Sequence, residues 1–76
     1  MEELVRFMAK SLVDHPEEVE VRTVEESAGT VIELRVGPED MGKVIGKQGR
    51  IAKAMRTVVK AASAKFEKPV YVEILD

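Results

Sequence analysis

Apolar residues recur along this chain with two periods, and the switches between them mark the elements. From Glu2 to Val13, Leu4, Val5, Met8 and Leu12 return at helical spacing while Arg6 and Lys10 fall on another side, which predicts an amphipathic first helix. Asp14-His15-Pro16 ends it, because the residue before a proline is pushed out of the helical region. His15 therefore belongs to a turn and is expected to be solvated. The period then drops to two. Residues 18–26 alternate Val19, Val21 and Thr23 with Glu20, Arg22 and Val24, and Thr30 to Val36 sets Ile32, Leu34 and Val36 against Val31, Glu33 and Arg35. The short Ser27-Ala28-Gly29 stretch between these runs predicts an antiparallel hairpin.

Gly37-Pro38-Glu39-Asp40 has the form of a helix start, with proline at the first helical position and carboxylates near the positive end of the helix dipole. That helix must be short, since Gly46 interrupts it after Val44 or Ile45. A longer helix is expected from Gly49 to Phe66, stopped by Lys68-Pro69. At about 100° per residue, Ile51, Met55, Val58, Val59, Ala62 and Phe66 share one arc and predict its buried face, while Arg50, Lys53, Arg56 and Lys60 share another. Val70, Val72 and Ile74 then alternate with Tyr71, Glu73 and Leu75 as a third strand. The order αββααβ predicts a two-layer α+β fold, a three-stranded sheet with three helices on one face.

A length of 76 residues allows one small compact unit spanning 1–76. The chain has no cysteine and a single histidine, so neither a disulfide framework nor a zinc-finger ligand set is available. Packing of the hydrophobic 45% must hold it together, and no metal or cofactor is expected. No apolar stretch approaches the roughly 20 residues of a membrane span. Glu2 and Glu3 stand where a signal peptide carries positive charge, so a cytoplasmic place is expected.

The net charge of −2 hides an asymmetry. Residues 1–36 carry four basic side chains against nine acidic ones, a balance of −5, whereas residues 37–76 carry eight against five, a balance of +3. The basic excess follows the seven residues Val44 to Arg50, where Gly46-Lys47-Gln48-Gly49 forms a Gly-x-x-Gly loop. Two glycines at that spacing let the backbone turn tightly, expose N–H groups and remove the side chains that would hold a phosphate chain away. Other phosphate-binding patterns do not fit. A P-loop would need glycine where Met41 stands and a hydroxyl where Gln48 stands, and a dinucleotide fingerprint would need glycine in place of Val44.

Set between strands in this order, the run Gly42-Lys-Val-Ile-Gly-Lys-Gln-Gly-Arg-Ile51 resembles the KH domain, whose hallmark is Val-Ile-Gly-x-x-Gly-x-x-Ile. The spacing departs by one residue, because the family isoleucine would fall at Ala52, and the apolar anchor is assigned to Ile51. The extra helix and strand at the amino terminus resemble the bacterial type II arrangement, and the whole chain is similar to the small single-KH proteins of the KhpA family. That resemblance implies cytoplasmic single-stranded RNA binding with an RNA-chaperone or post-transcriptional regulatory role. It further implies pairing with itself or with a second KH-containing protein of the KhpB (Jag) family, and a link to cell shape and cell-wall biogenesis.

In the KH mode the loop clamps the backbone of about four nucleotides beside an apolar groove. The resemblance thus assigns RNA contacts to Gly46, Lys47, Gln48, Gly49, Arg50 and Lys53, with Arg56 extending the track and Val44, Ile45 and Ile51 as candidates for the groove floor. Aromatics make up only 4% of the chain, so Phe7, Phe66 and Tyr71 are first assigned to packing. The alternative is a KH-fold protein-interaction or dimerisation module with little intrinsic RNA affinity, using Val24, Val31, Tyr71 and Leu75 on the outer sheet face. No nucleophile, base or carboxylate pair is set for catalysis, so neither an enzyme nor a small-molecule substrate is expected.

Overall fold

The computed structural model describes residues 1–75. Helix α1 spans Glu2–Leu12, strands β1 and β2 span Glu20–Glu26 and Gly29–Arg35, helices α2 and α3 span Met41–Ile45 and Arg50–Ala62, and strand β3 spans Val70–Leu75. This is the expected αββααβ order. Glu26 pairs with Gly29, leaving Ser27-Ala28 as a two-residue hairpin turn. β2 lies at the centre, antiparallel to β1 and parallel to β3, so the sheet is mixed and its order is β1-β2-β3.

The register aligns Val21 with Leu34 and Ile74, and Thr23 with Ile32 and Val72, along the face that the helices cover. Val5, Val44, Val59 and Leu34 are completely buried there, each contributing about 1.5–3 kcal/mol by removal from water. The outer face carries the row Val24, Val31 and Tyr71 and the Arg22–Glu33 pair, as the strand parity predicts.

Several boundaries differ from the sequence expectation. β1 starts at Glu20 rather than at residue 18, because Pro16–Glu18 forms a 3₁₀ turn in which proline fixes the backbone. α1 ends at Leu12, with the extended Val13 donating its N–H to the Ala9 carbonyl. α3 ends at Ala62, well before Phe66. The Ser63 hydroxyl donates back to the Val59 carbonyl, satisfying the helix end four residues before Phe66.

The buried face of α3 is also turned from the expected one. Ala52, Met55, Val59 and Ser63 face the sheet, while Val58 and Phe66 are about half exposed and Ala62 is exposed. The shift is about 60° around the axis, and it leaves one flank of the apolar arc uncovered. Ala52, and not Ile51, is the buried residue three positions after Gly49. The aromatic expectation fails as well, since Phe7, Phe66 and Tyr71 are all more than half exposed.

Candidate nucleic-acid interface

The loop between α2 and α3 takes its shape from two glycines with different jobs. Gly46 ends α2 with its N–H on the Gly42 carbonyl and a φ of 76°, and a Cβ there would lie 2.6 Å from Ile51 Cγ1. It is held by both conformation and contact. Gly49 has a φ of 73°, yet a Cβ there would meet nothing within 4 Å. The space in front of it is open to an approaching backbone. Between them Gln48 also sits in the left-handed region, at φ 57°, so the chain makes a tight turn with exposed Lys47 and Gln48 at its tip.

The backbone donors of this turn divide into used and free. Gly49 N–H donates to the Gly46 carbonyl and Arg50 N–H to the Lys47 carbonyl. Among the described residues, no turn or cap carbonyl accepts the N–H of Lys47 or Gln48. α3 follows with no side-chain cap, so its first-turn amides and positive dipole end lie beside the same turn. This is the geometry of an anion site.

α3 presents three faces beyond that point. Its buried side packs on the sheet. One flank carries Lys53, Arg56 and Lys60 and looks toward β3 across a groove of about 410 Å³ bounded by Ser63, Val70, Tyr71 and Val72. The other flank, with Ile51, Ala54 and Val58, faces Phe7, Met8 and Leu12 of α1 across an apolar groove of about 470 Å³. Arg50 lines this second groove and reaches Gln48 Oε1 at 3.4 Å, so it stands on the α1 side of the turn, apart from the other three cations.

The three floor candidates are separated. Val44 is fully buried in the core, Ile45 is about one-third exposed, and Ile51 lines the α1 groove while packing under Gly46. Neither Val44 nor Ile51 lines the groove between α3 and β3, Val44 because it is buried in the core beneath α2 and Ile51 because it lies on the flank of α3 that faces α1.

Position also separates the cations electrostatically. Lys43 Nζ lies 3.0 Å from Asp14 and 3.6 Å from Asp40, and the Asp14 hydrogen bond and charge, with Asp40, raise its pKa despite burial. It belongs to the scaffold. Lys47, Arg50, Lys53, Arg56 and Lys60 form no ion pair among the described residues. Their field is left for a ligand.

Sequence reasoning missed Asp40. Its fully buried carboxylate accepts the backbone N–H of Asp14 at 3.2 Å and of His15 at 2.9 Å, clasping the end of α1 to the start of α2. Burial raises its pKa, but these two bonds, with His15 and Lys43 nearby, outweigh that and hold it below the ordinary 3.8. The only local signal is a carboxylate at a helix start, and its partners lie some 25 residues away.

Among known proteins, the family model described as KhpA/KhpB, KH domain matches residues 2–74. The RNA-binding protein KhpA of Clostridium perfringens is 64% identical over 99% of this chain and 100% of its own length. That of Listeria monocytogenes is 50% identical over the full length of both. Among solved structures, Era of Aquifex aeolicus bound to GDP and AlF4⁻ aligns with TM-score 0.64 at 26% identity. An Era complex with MgGDPNP and nucleotides 1506–1542 of 16S ribosomal RNA aligns with TM-score 0.65 at 25% identity. Each match covers 96% of this chain but spans 28% of the Era chain. From the match across nearly all of its length, the chain belongs to the KhpA/KhpB family of KH domains.

Proposed function

We propose that this chain is a cytoplasmic single-stranded RNA-binding protein with a chaperone or regulatory role and no catalytic one. The observation that carries this reading is the tight turn at Gly46–Gly49, where no turn or cap carbonyl among the described residues accepts the Lys47 or Gln48 N–H, with open space at Gly49 and the Lys53, Arg56 and Lys60 flank running on from it. Its relatives are named RNA-binding proteins, and the Era structure that shares its fold was solved with ribosomal RNA. Phosphates would meet the Lys47 and Gln48 amides at the turn, Lys47 and Lys53 would supply charge, and Arg50 would reach the strand from the α1 side. Bases would then lie along the α3–β3 groove.

Salt titration tests the clamp. With about three phosphate contacts at roughly 0.7 each, log K falls with log[salt] at a slope near −2. Changing Lys47→Asp together with Gln48→Asp sets carboxylates against the phosphates and abolishes binding without unfolding, since both side chains are exposed. A flat salt response, or normal binding by this double variant, would remove the loop as the site.

A second reading adds self-association, and the groove between α1 and α3 favours it. Apart from Ser11 and Arg50 its lining is apolar, and Phe7 projects beside it at 70% exposure. A ridge next to a groove is self-complementary, because two copies related by a two-fold axis each seat Phe7 in the other. The occupant on this reading is a second copy of the chain, held on the flank of α3 opposite the basic groove.

A further inference from the structure

Arg56 Nε donates to the Val72 carbonyl at 3.1 Å, linking α3 to β3 across the basic groove. β3 is an edge strand, and its backbone groups alternate between facing β2 and facing outward. The bond therefore marks Val72 as one of the residues whose polar groups face the open edge. It also holds the guanidinium at the groove through a single nitrogen. No carboxylate among the described residues pairs with Arg56, so the two Nη groups stand together as a free fork in the groove.

We propose that Arg56 reads a base edge, selecting at one position a nucleobase with two adjacent acceptors, guanine or cytosine, over adenine or uracil. This rests on the RNA-binding reading above. A fork of two parallel donors matches neighbouring acceptors, which guanine offers at N7 and O6 and cytosine at N3 and O2. Adenine sets a donor beside each ring acceptor on those edges, and uracil sets N3–H between its two carbonyls. Neither accepts both bonds. Arg56 thus differs in role from Lys53 and Lys60, whose flexible point charges suit phosphates.

The test uses four RNA octamers, one of uridine alone and three carrying a single internal A, C or G, with binding followed by fluorescence anisotropy. The chain can slide to seat a favoured base, so no register need be known. The expected result is about tenfold tighter binding of the C or the G octamer, or both, than of the A and all-uridine octamers, and the two separate arms identify which base. Arg56→Lys keeps the charge but loses the fork. It should reduce the spread among the four to within about twofold.

Three results would overturn the proposal. Equal affinity of the parent for all four octamers removes base reading alone and leaves the clamp intact. An Arg56→Ala variant that weakens all four equally and lowers the salt slope by about 0.7 makes Arg56 a phosphate contact. Retention of the tenfold preference by Arg56→Lys assigns the selection to another residue. If no octamer binds the parent at any salt, the RNA reading itself fails and carries this one with it.

Discussion

The two loop glycines are alike in the sequence and unlike in the structure. Both have φ near 75°, which alone costs a non-glycine residue about 1 kcal/mol. At Gly46 a methyl would also press into Ile51, whereas at Gly49 it would enter open space. Gly46→Ala is therefore expected to lower stability by about 2–3 kcal/mol and Gly49→Ala by about 1 kcal/mol, as read by urea denaturation. RNA affinity should distinguish them in another way. Gly49→Ala fills the space through which a phosphate chain approaches, so it should weaken binding despite its smaller effect on folding. Equal stability losses would show that the Ile51 contact relaxes freely.

Between elements, Asp40 joins the end of α1 to α2 through the Asp14 and His15 amides. Its carboxyl titrates below the ordinary 3.8 in the folded chain, so the unfolded chain binds the proton more tightly. The clasp thus contributes fully above about pH 4 and is lost as pH falls through the folded pKa. Thermal melts from pH 7 to 2.5 should show the parent losing stability more steeply below pH 4 than Asp40→Asn, which is already weakened at pH 7. Parallel curves would mean that the carboxylate charge has no part in the clasp. Helix α3 teaches a related lesson, since its apolar arc is wider than the sheet covers. The excess, at Ile51, Ala54 and Val58, forms one wall of the groove against α1.

For the whole molecule, α3 separates two surfaces of opposite character. The groove toward β3 is basic and the groove toward α1 is apolar, so strand binding and self-association need not compete. Light scattering over a wide concentration range should show a dimer forming. Phe7→Asp should hold the chain as a monomer that still binds RNA with the parent's salt slope. A parent mass that stays monomeric at every concentration would count against pairing through α1 and α3. A dimer that survives Phe7→Asp would move the interface elsewhere, with the outer row of Val24, Val31 and Tyr71 as the next surface to test.

Periodicity in the sequence was enough to determine the six elements, the inward parity of the strands and the short α2, because these follow from local spacing and from proline and glycine. The Gly-x-x-Gly spacing and the basic residues after it were legible for the same reason. Tertiary structure decided how far α3 turns onto the sheet, why Ala52 rather than Ile51 is buried, and why three aromatics remain exposed. It also decided that Asp40 clasps two backbone amides and that Arg56 reaches the edge of β3. A local pattern shows which side of an element is apolar, but how much of that side is covered, and which distant group meets a polar atom, depends on neighbours that the pattern does not contain.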